Sequence, residues 1–212
     1  MASSILPLLY LASASPRRQE LLHQIGIPHT VLRLPPVVGE DEPRKANEPP
    51  LAYVQRTALE KAQRAQKWLA QGKTEHSRPT TNENINLPIL TADTTVALGD
   101  TILGKPLDVR HATEILEQLS GQTHTVHTAV VLAHQAGMYS GLSTSLVSFK
   151  HLGKEEIAQY VETNDCFGKA GAYGIQGFAA RFIRDLQGSY SGVMGLPLYE
   201  TTELLRAAKI IV

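Results

Sequence analysis

Apolar positions along the chain switch between two spacings, and each switch marks an element. Leu8 to Ala12 is a continuous apolar run that predicts a buried strand. A helix should follow at once, with Ser15 at its N-cap, Pro16 in its first turn, Leu21, Leu22 and Ile25 inward, and Gly26 just past its end. His29 to Leu34 predicts a second strand, and Pro35-Pro36 opens a polar stretch through Pro50 that holds Glu40, Asp41 and Glu42. Leu51, Val54, Ala58, Ala62, Ala65 and Leu69 recur three and four apart, the stripe of an amphipathic helix, with Lys61 at its edge and Glu60 and Arg64 turned away. Residues 72–87 lose all periodicity and read as a mobile surface insertion.

Downstream, Pro88 to Ala92 and Thr94 to Leu98 predict strand, Gly99-Asp100 a turn, and Thr101 to Leu103 a short return strand. Asp108 should cap a helix whose inner face is Ala112, Ile115, Leu116 and Leu119. Two long strands, Thr123 to Ala133 and Tyr139 to Phe149, are expected next, then a helix over Lys154 to Glu162. A glycine-rich loop spans Asp165 to Gly177, Phe178 to Leu186 alternates as a strand should, and Pro197 to Ala208 predicts a final helix. Alternating strands and helices combined with long hairpins predict an α/β fold with a mixed sheet, in one domain over residues 1–212.

Composition narrows the function classes. With 42% hydrophobic and 19% charged residues the chain is of ordinary globular type, not disordered or fibrous. Lys plus Arg and Asp plus Glu are both 20, and a zero net charge argues against a general nucleic-acid binder. Cys166 is the single cysteine, which excludes an internal disulfide and any multi-cysteine zinc site. No apolar run reaches the ~18 residues of a membrane span, and the N-terminus lacks a basic leader, so a cytoplasmic chain is expected.

Four segments carry candidate chemistry. Ser13-Ala14-Ser15-Pro16-Arg17-Arg18 brings a strand to a helix N-terminus, where free amides and the helix dipole favour an anion. Two arginines in the first turn oppose that dipole, and a bound phosphate would relieve the conflict; the plainer reading is a capped helix with solvated arginines. Asp93 is expected at the C-terminal end of an apolar strand, where a carboxylate can hold Mg²⁺ or take a proton from water, although a turn-starting Asp is the commoner meaning. Gly99 to Lys105 matches seven positions of a P-loop, but Pro106 replaces the hydroxyl residue that must reach Mg²⁺, so Lys105 remains only as a cation near Asp93. Gly168 to Gly177 allows close backbone approach to a ligand, with Gln176 offering both donor and acceptor, or is simply a flexible loop. His124 and His127 stand three apart on a predicted strand, face opposite sides, and make a poor metal pair. Gly188 to Gly192 imitates a hydrolase elbow, but Tyr190 stands at the nucleophile position.

In their order and spacing these segments resemble the Maf family of nucleoside triphosphate pyrophosphatases from Leu9 to about Leu205. The resemblance rests on Ser13 to Arg18 with Glu20-Leu21-Leu22, on Glu60-Lys61-Ala62, and on Ala92-Asp93-Thr94. It continues through Gly104-Lys105-Pro106, Leu119-Ser120-Gly121, Lys169 to Gly177, and Gly195 to Leu198. It implies an inosine triphosphatase-like fold, a long twisted mixed sheet with two lobes around a cleft. It also implies cleavage of a nucleoside triphosphate between the α and β phosphates, with a divalent cation (Mg²⁺ or Mn²⁺) as cofactor. Asp93 falls on the family's proton acceptor, with Lys61 and Lys105 beside it in catalysis. Ser13, Arg17, Arg18, Thr94, Lys169 and Gln176 fall on substrate-binding positions. The metal is expected on Asp93 and Glu42, with Glu40 or Asp41 as alternatives to Glu42. Thr94 and Gln176 resemble the branch acting on dTTP and UTP, not the 7-methyl-GTP branch. Gly168 departs from the family's usual Asp before the late lysine. That departure is the one feature favouring a nucleotide- or nucleic-acid-binding regulator of cell division with little turnover. An inosine triphosphatase-type purine enzyme is a third reading. The expected partner is a nucleoside triphosphate, with no membrane, no stable nucleic acid, and room for a homodimer.

Overall fold

The computed structural model describes residues 6–36, 42–71, 87–135 and 137–212. Strand β1 (Leu9–Leu11) is wholly buried, as its unbroken apolar run requires, and it is short because Ala12 to Ser15 turn the chain into helix α1 (Pro16–Gln24). Gly26 closes that helix with a left-handed φ of 66°. Strand β2 (His29–Val31) stops before Leu34, earlier than the hydropathy suggests, because β1 offers it only three residues of parallel partner. Helix α2 (Pro50–Ala70) follows the predicted stripe. Glu40, Asp41 and all of the expected insertion except Leu87 lie outside the described residues.

The next strand corrects the sequence reading. Strand β3 runs unbroken from Ile89 to Leu98, so Asp93 sits at its fifth position rather than at a strand end. The remaining elements are β4 (Thr101–Leu103), α3 (Val109–Leu119), β5 (Thr123–His134), β6 (Gly137–Phe149), α4 (Lys154–Glu162), β7 (Ile183–Gln187), α5 (Tyr190–Met194) and α6 (Leu198–Ala207). Asp108 caps α3 as expected, accepting the His111 amide at 2.7 Å. A second correction concerns Phe178–Phe182, which forms a 3-10 turn instead of strand. The turn gathers Phe178 and Phe182 around Tyr160, with ring centroids 5.7 and 5.2 Å away, whereas a strand would space the two rings further apart. Helix α5 has no periodic signal in the sequence. Ser189 caps it, accepting the Gly192 amide at 3.0 Å.

Among the described residues seven strands form one mixed sheet in the order β2-β1-β3-β5-β6-β7, with β4 paired to β3. Pairing is parallel between β1 and its two neighbours and antiparallel elsewhere. The pleat sorts side chains by parity. Leu9, Leu11, Leu90, Ala92, Val130 and Leu132 face α1 and α6, while Tyr10, Ile89, Ala129 and Val131 face α2. A third cluster around Phe149, Tyr160 and Phe182 fills the lobe of α3 and α4. No described helix is long and apolar enough to cross a membrane.

Candidate active site

The sheet leaves a gap along one edge of β3. Strand β1 covers that edge only as far as Leu90, with the Ala12 amide on the Leu90 carbonyl at 2.9 Å, and β4 resumes pairing at Val96. Between them, on this edge, Asp93 and Thr94 meet no strand among the described residues and pair only with β5 on the opposite edge, at the point where the sheet changes from parallel to antiparallel pairing. Ligands of open α/β sheets bind at such switch points. A cleft of about 1030 Å³ opens there, the size of a small-molecule site. All ten residues expected at the site from the sequence, from Ser13 to Gln176, line it.

Asp93 is 6% exposed on the α2 face. Its Oδ2 accepts the Thr57 hydroxyl at 2.6 Å and its Oδ1 accepts the Lys61 ammonium at 2.6 Å. Burial pushes the carboxyl pKa up, but the charge and hydrogen bond of Lys61, the Thr57 hydroxyl and the Arg18 charge outweigh it, and the net shift is downward. Thr57 and Lys61 stand one turn apart on α2, so one helix face delivers both donors. Thr57 went unforeseen; its signal was a polar residue within the apolar stripe of Val54 and Ala58.

Lys61 also pairs with Glu42. The Tyr53 hydroxyl on the Glu42 carbonyl at 3.0 Å and Arg56 on the Pro43 carbonyl at 3.0 Å tie that segment to α2. Two carboxylates thus converge on one cation. A hard divalent ion such as Mg²⁺ takes one or two carboxylates and completes its shell with water and phosphate, so this donor set fits it. Among the described residues no group of three or more His, Cys, Asp or Glu gathers as a ready-made metal site. Substrate oxygens would have to finish the shell.

At the N-terminus of α1, Ser15 occupies the N-cap position but its hydroxyl caps nothing. Ser13 Oγ takes the Ser15 amide at 3.2 Å instead. The first-turn amides of a helix have no partner within it, and here they border the cleft. Arg18 is half-buried, and desolvation lowers its pKa; three of its N–H groups donate to the Gly195 carbonyl (2.7 Å), Ser13 Oγ (3.1 Å) and Thr94 Oγ1 (3.4 Å). It braces the α1 side of the cleft against the segment after α5. Val193 and Met194 of α5 line the cleft too and carried no sequence signal, whereas Gly195 after them belongs to a segment that the resemblance rested on.

On the far wall the glycine-rich loop reaches β3. Gly171, at φ 69°, donates its amide to the Gly104 carbonyl at 3.1 Å, and a Cβ there would meet Val96 Cγ1 at 2.9 Å. Lys169 donates to Asp165 Oδ1 at 2.7 Å, so the late-loop lysine has a carboxylate partner from four residues upstream. Tyr173 lines the cleft and is held by His124 Nε2 at 2.8 Å, whereas His127 points the other way to Thr144. The two histidines occupy opposite faces, as expected.

Comparison with known proteins finds relatives over nearly the whole chain. The family model described as Maf-like protein matches residues 8–208. The dTTP/UTP pyrophosphatase of Bordetella pertussis is 51% identical over 206 residues, covering 97% of this chain and 95% of that protein. Those named dTTP/UTP pyrophosphatase in Bordetella avium and Cupriavidus metallidurans are 52% and 48% identical, covering 96% and 95% of this chain and 96% of each relative. A solved nucleoside-triphosphatase / dITP/XTP pyrophosphatase from Mycobacterium abscessus overlays at TM-score 0.41 and 13% identity over 95% of each chain, too distant a likeness to carry an argument. With a family match running from the first strand to the last helix, and half of all residues shared with these relatives, the chain belongs to the Maf family.

Proposed function

We propose that this protein is a nucleoside triphosphate pyrophosphatase that hydrolyses dTTP and UTP between the α and β phosphates, releasing the monophosphate and pyrophosphate. The observation that carries the reading is the Asp93 carboxylate, held ionised by Lys61 and Thr57 in the gap of the sheet edge and opening on a cleft bordered by a helix N-terminus. The names of the Bordetella and Cupriavidus relatives supply the substrate class.

A triphosphate brings about four negative charges, and a chain of zero net charge must focus positive potential locally. Arg17, Lys61, Lys105, Lys169 and the α1 amides provide it around the cleft. Glu42 and Asp93 would hold the divalent cation, which when bound supplies further charge neutralisation on the phosphate oxygens. Asp93 orients a water by accepting its hydrogen. The water oxygen forms a bond to the α phosphorus, its proton passes to Asp93 Oδ1 or Oδ2, and the bond to the bridging oxygen breaks with pyrophosphate as leaving group. Phosphoryl chemistry of this kind relies on positioning and charge stabilisation more than on covalent steps. Lys169 keeps a carboxylate partner in Asp165.

The test is release of pyrophosphate against orthophosphate from dTTP, UTP, CTP, ITP and 7-methyl-GTP, with Mg²⁺, Mn²⁺ or EDTA. Pyrophosphate from dTTP and UTP, abolished by EDTA, is expected. Asp93→Asn should lower the rate by ~10²–10³ while nucleotide still binds. Undiminished turnover by Asp93→Asn would remove Asp93 from the mechanism.

A further inference from the structure

Glu42 belongs to no helix or strand, so its place beside Lys61 depends on what holds residues 42–48. Helix α2 holds them. The Tyr53 hydroxyl donates to the Glu42 carbonyl, and one turn further along Arg56 donates to the next carbonyl, that of Pro43.

Arg56 does more than touch one carbonyl. Its guanidinium uses all three nitrogens: Nε donates to Glu48 Oε1 at 2.6 Å, Nη1 to Glu60 Oε2 at 2.8 Å, and Nη2 to both Glu48 Oε2 at 2.7 Å and the Pro43 carbonyl at 3.0 Å. Glu48 is tied in its turn, its Oε2 accepting the Lys45 amide at 3.1 Å and its carbonyl accepting Arg44 Nη2 at 2.9 Å. The side chains of Arg56 and Glu48 are only 15% and 9% exposed, so this two-pronged contact is shielded, unlike a surface ion pair. The Tyr53 ring flanks the guanidinium, its centroid 5.5 Å from Cζ. Arg56 therefore clamps the loop at Pro43 and at Glu48. Lys61, which meets the Glu42 carboxylate, stands farther along the same helix, so clamp and cation share one rigid element. Arg56 itself does not line the cleft.

We infer that Arg56 is a positioning residue for the divalent cation: it clamps the loop so that Glu42 stands with Asp93 around Lys61, where both carboxylates can serve one cation. This rests on the reading of Glu42 and Asp93 as the metal's protein ligands. A loose carboxylate would have to be ordered each time the metal binds, and a preset loop avoids that entropic cost. A lysine in place of Arg56 would keep the charge but not the clamp. Four acceptors converge on this side chain, and an ammonium has three donors and no planar fork.

The experiment measures the affinity of α,β-methylene-UTP, which cannot be cleaved at the α–β bond, by titration calorimetry with Mg²⁺ and with EDTA. The ratio of the two affinities reports the metal's contribution. Arg56→Lys should cut that ratio about tenfold, as loss of a group that orients a metal ligand does, while the affinity in EDTA stays within about twofold of wild type. In a Glu42→Gln background, where the ratio is already reduced, Arg56→Lys should add less than about twofold. An unchanged ratio in Arg56→Lys, an equal loss with and without Mg²⁺, or additive losses in the double variant would overturn the inference; a purely structural clamp gives equal losses. Should Arg56→Lys not fold, Glu48→Gln weakens the other half of the clamp and must show the same loss confined to Mg²⁺. A wild-type affinity indifferent to Mg²⁺, or a ratio untouched by Glu42→Gln, would sink the metal reading and this inference with it. A ratio lost in Glu42→Gln but kept in Arg56→Lys overturns the inference alone. Pyrophosphate release from UTP is followed separately. Its absence would sink the catalytic reading while the ratios still judge Arg56, and failure of the analogue to bind would overturn both.

Discussion

Lys61→Met tests the electrostatics of the site most directly. Lys61 holds two carboxylates, Glu42 and Asp93, and removing its charge leaves Asp93, 9% exposed at its side chain, without its nearest cation. Breaking a buried ion pair from one side costs ~3–5 kcal/mol, because the other charge stays buried and unpaired. Lys61 is 24% exposed and Glu42 20%, so water screens part of that loss, and about 2–4 kcal/mol is expected. For a chain of this size that corresponds to about 5–15 °C in Tm. The loss should depend on pH with a definite sign. In the wild-type protein Asp93 has a pKa below its ordinary 3.8, so its contribution is present above that value and disappears as pH falls through the depressed one. In Lys61→Met burial dominates, and the folded pKa rises above the unfolded one. The penalty is then full above the raised value and shrinks as the medium acidifies and Asp93 takes up its proton. Calorimetry at pH 7.5 and pH 5 should therefore show a larger Tm deficit at pH 7.5. Equal deficits at both pH values, or none at all, would refute the account of Asp93 as a carboxylate kept ionised by Lys61.

Two further outcomes follow from the far wall of the cleft. Gly171→Ala forces a side chain into φ 69° and onto three atoms of Val96 at 2.9–3.1 Å, so strain and overpacking together should cost about 2–5 kcal/mol in urea unfolding. Gly26→Ala, at φ 66° but with nothing within 4 Å, should cost only about 1–2 kcal/mol, and equal losses would show that contact with Val96 is unimportant. Burial holds the His124 pKa down at about 4 against an ordinary 6.5, so folding favours its neutral form and stability falls as pH drops through that window. Relative to pH 7.5, wild-type protein at pH 5 should lose about 2 kcal/mol more than His124→Gln, and parallel pH profiles would contradict it.

Much of the fold was legible because it is local. Helix α2 follows from a stripe at helical spacing, α3 from that spacing and an Asp cap, and α4 was bounded at the same residues the structure shows. The chemistry-bearing segments were legible for the same reason: Ser13 to Arg18 carries its strand-to-helix signature in six consecutive residues, and all ten expected residues meet in one cleft. Elements without a period of their own were not legible. Phe178–Phe182 alternates like a strand, yet aromatic packing on Tyr160 bends it into a turn. Helix α5 is five residues long, too short for periodicity, and depends on the Ser189 cap.

The sequence by itself determined the alternation of strands and helices, the exclusion of an internal disulfide, the anion-favouring helix start, and Asp93 as a carboxylate following an apolar strand run. Only the tertiary structure decided that Asp93 lies mid-strand and still reaches a ligand, because β1 ends after three residues and leaves that edge of β3 open until β4 begins. It alone joined Thr57, Lys61 and Glu42 to Asp93, gave Lys169 the carboxylate of Asp165, and aligned Arg18, Thr94, Thr128 and Gly192 in one hydrogen-bonded row. Spacing along the chain fixes which face of an element a residue occupies. Partners tens of residues apart are fixed by sheet register and by where neighbouring strands stop, and neither is written in any local pattern.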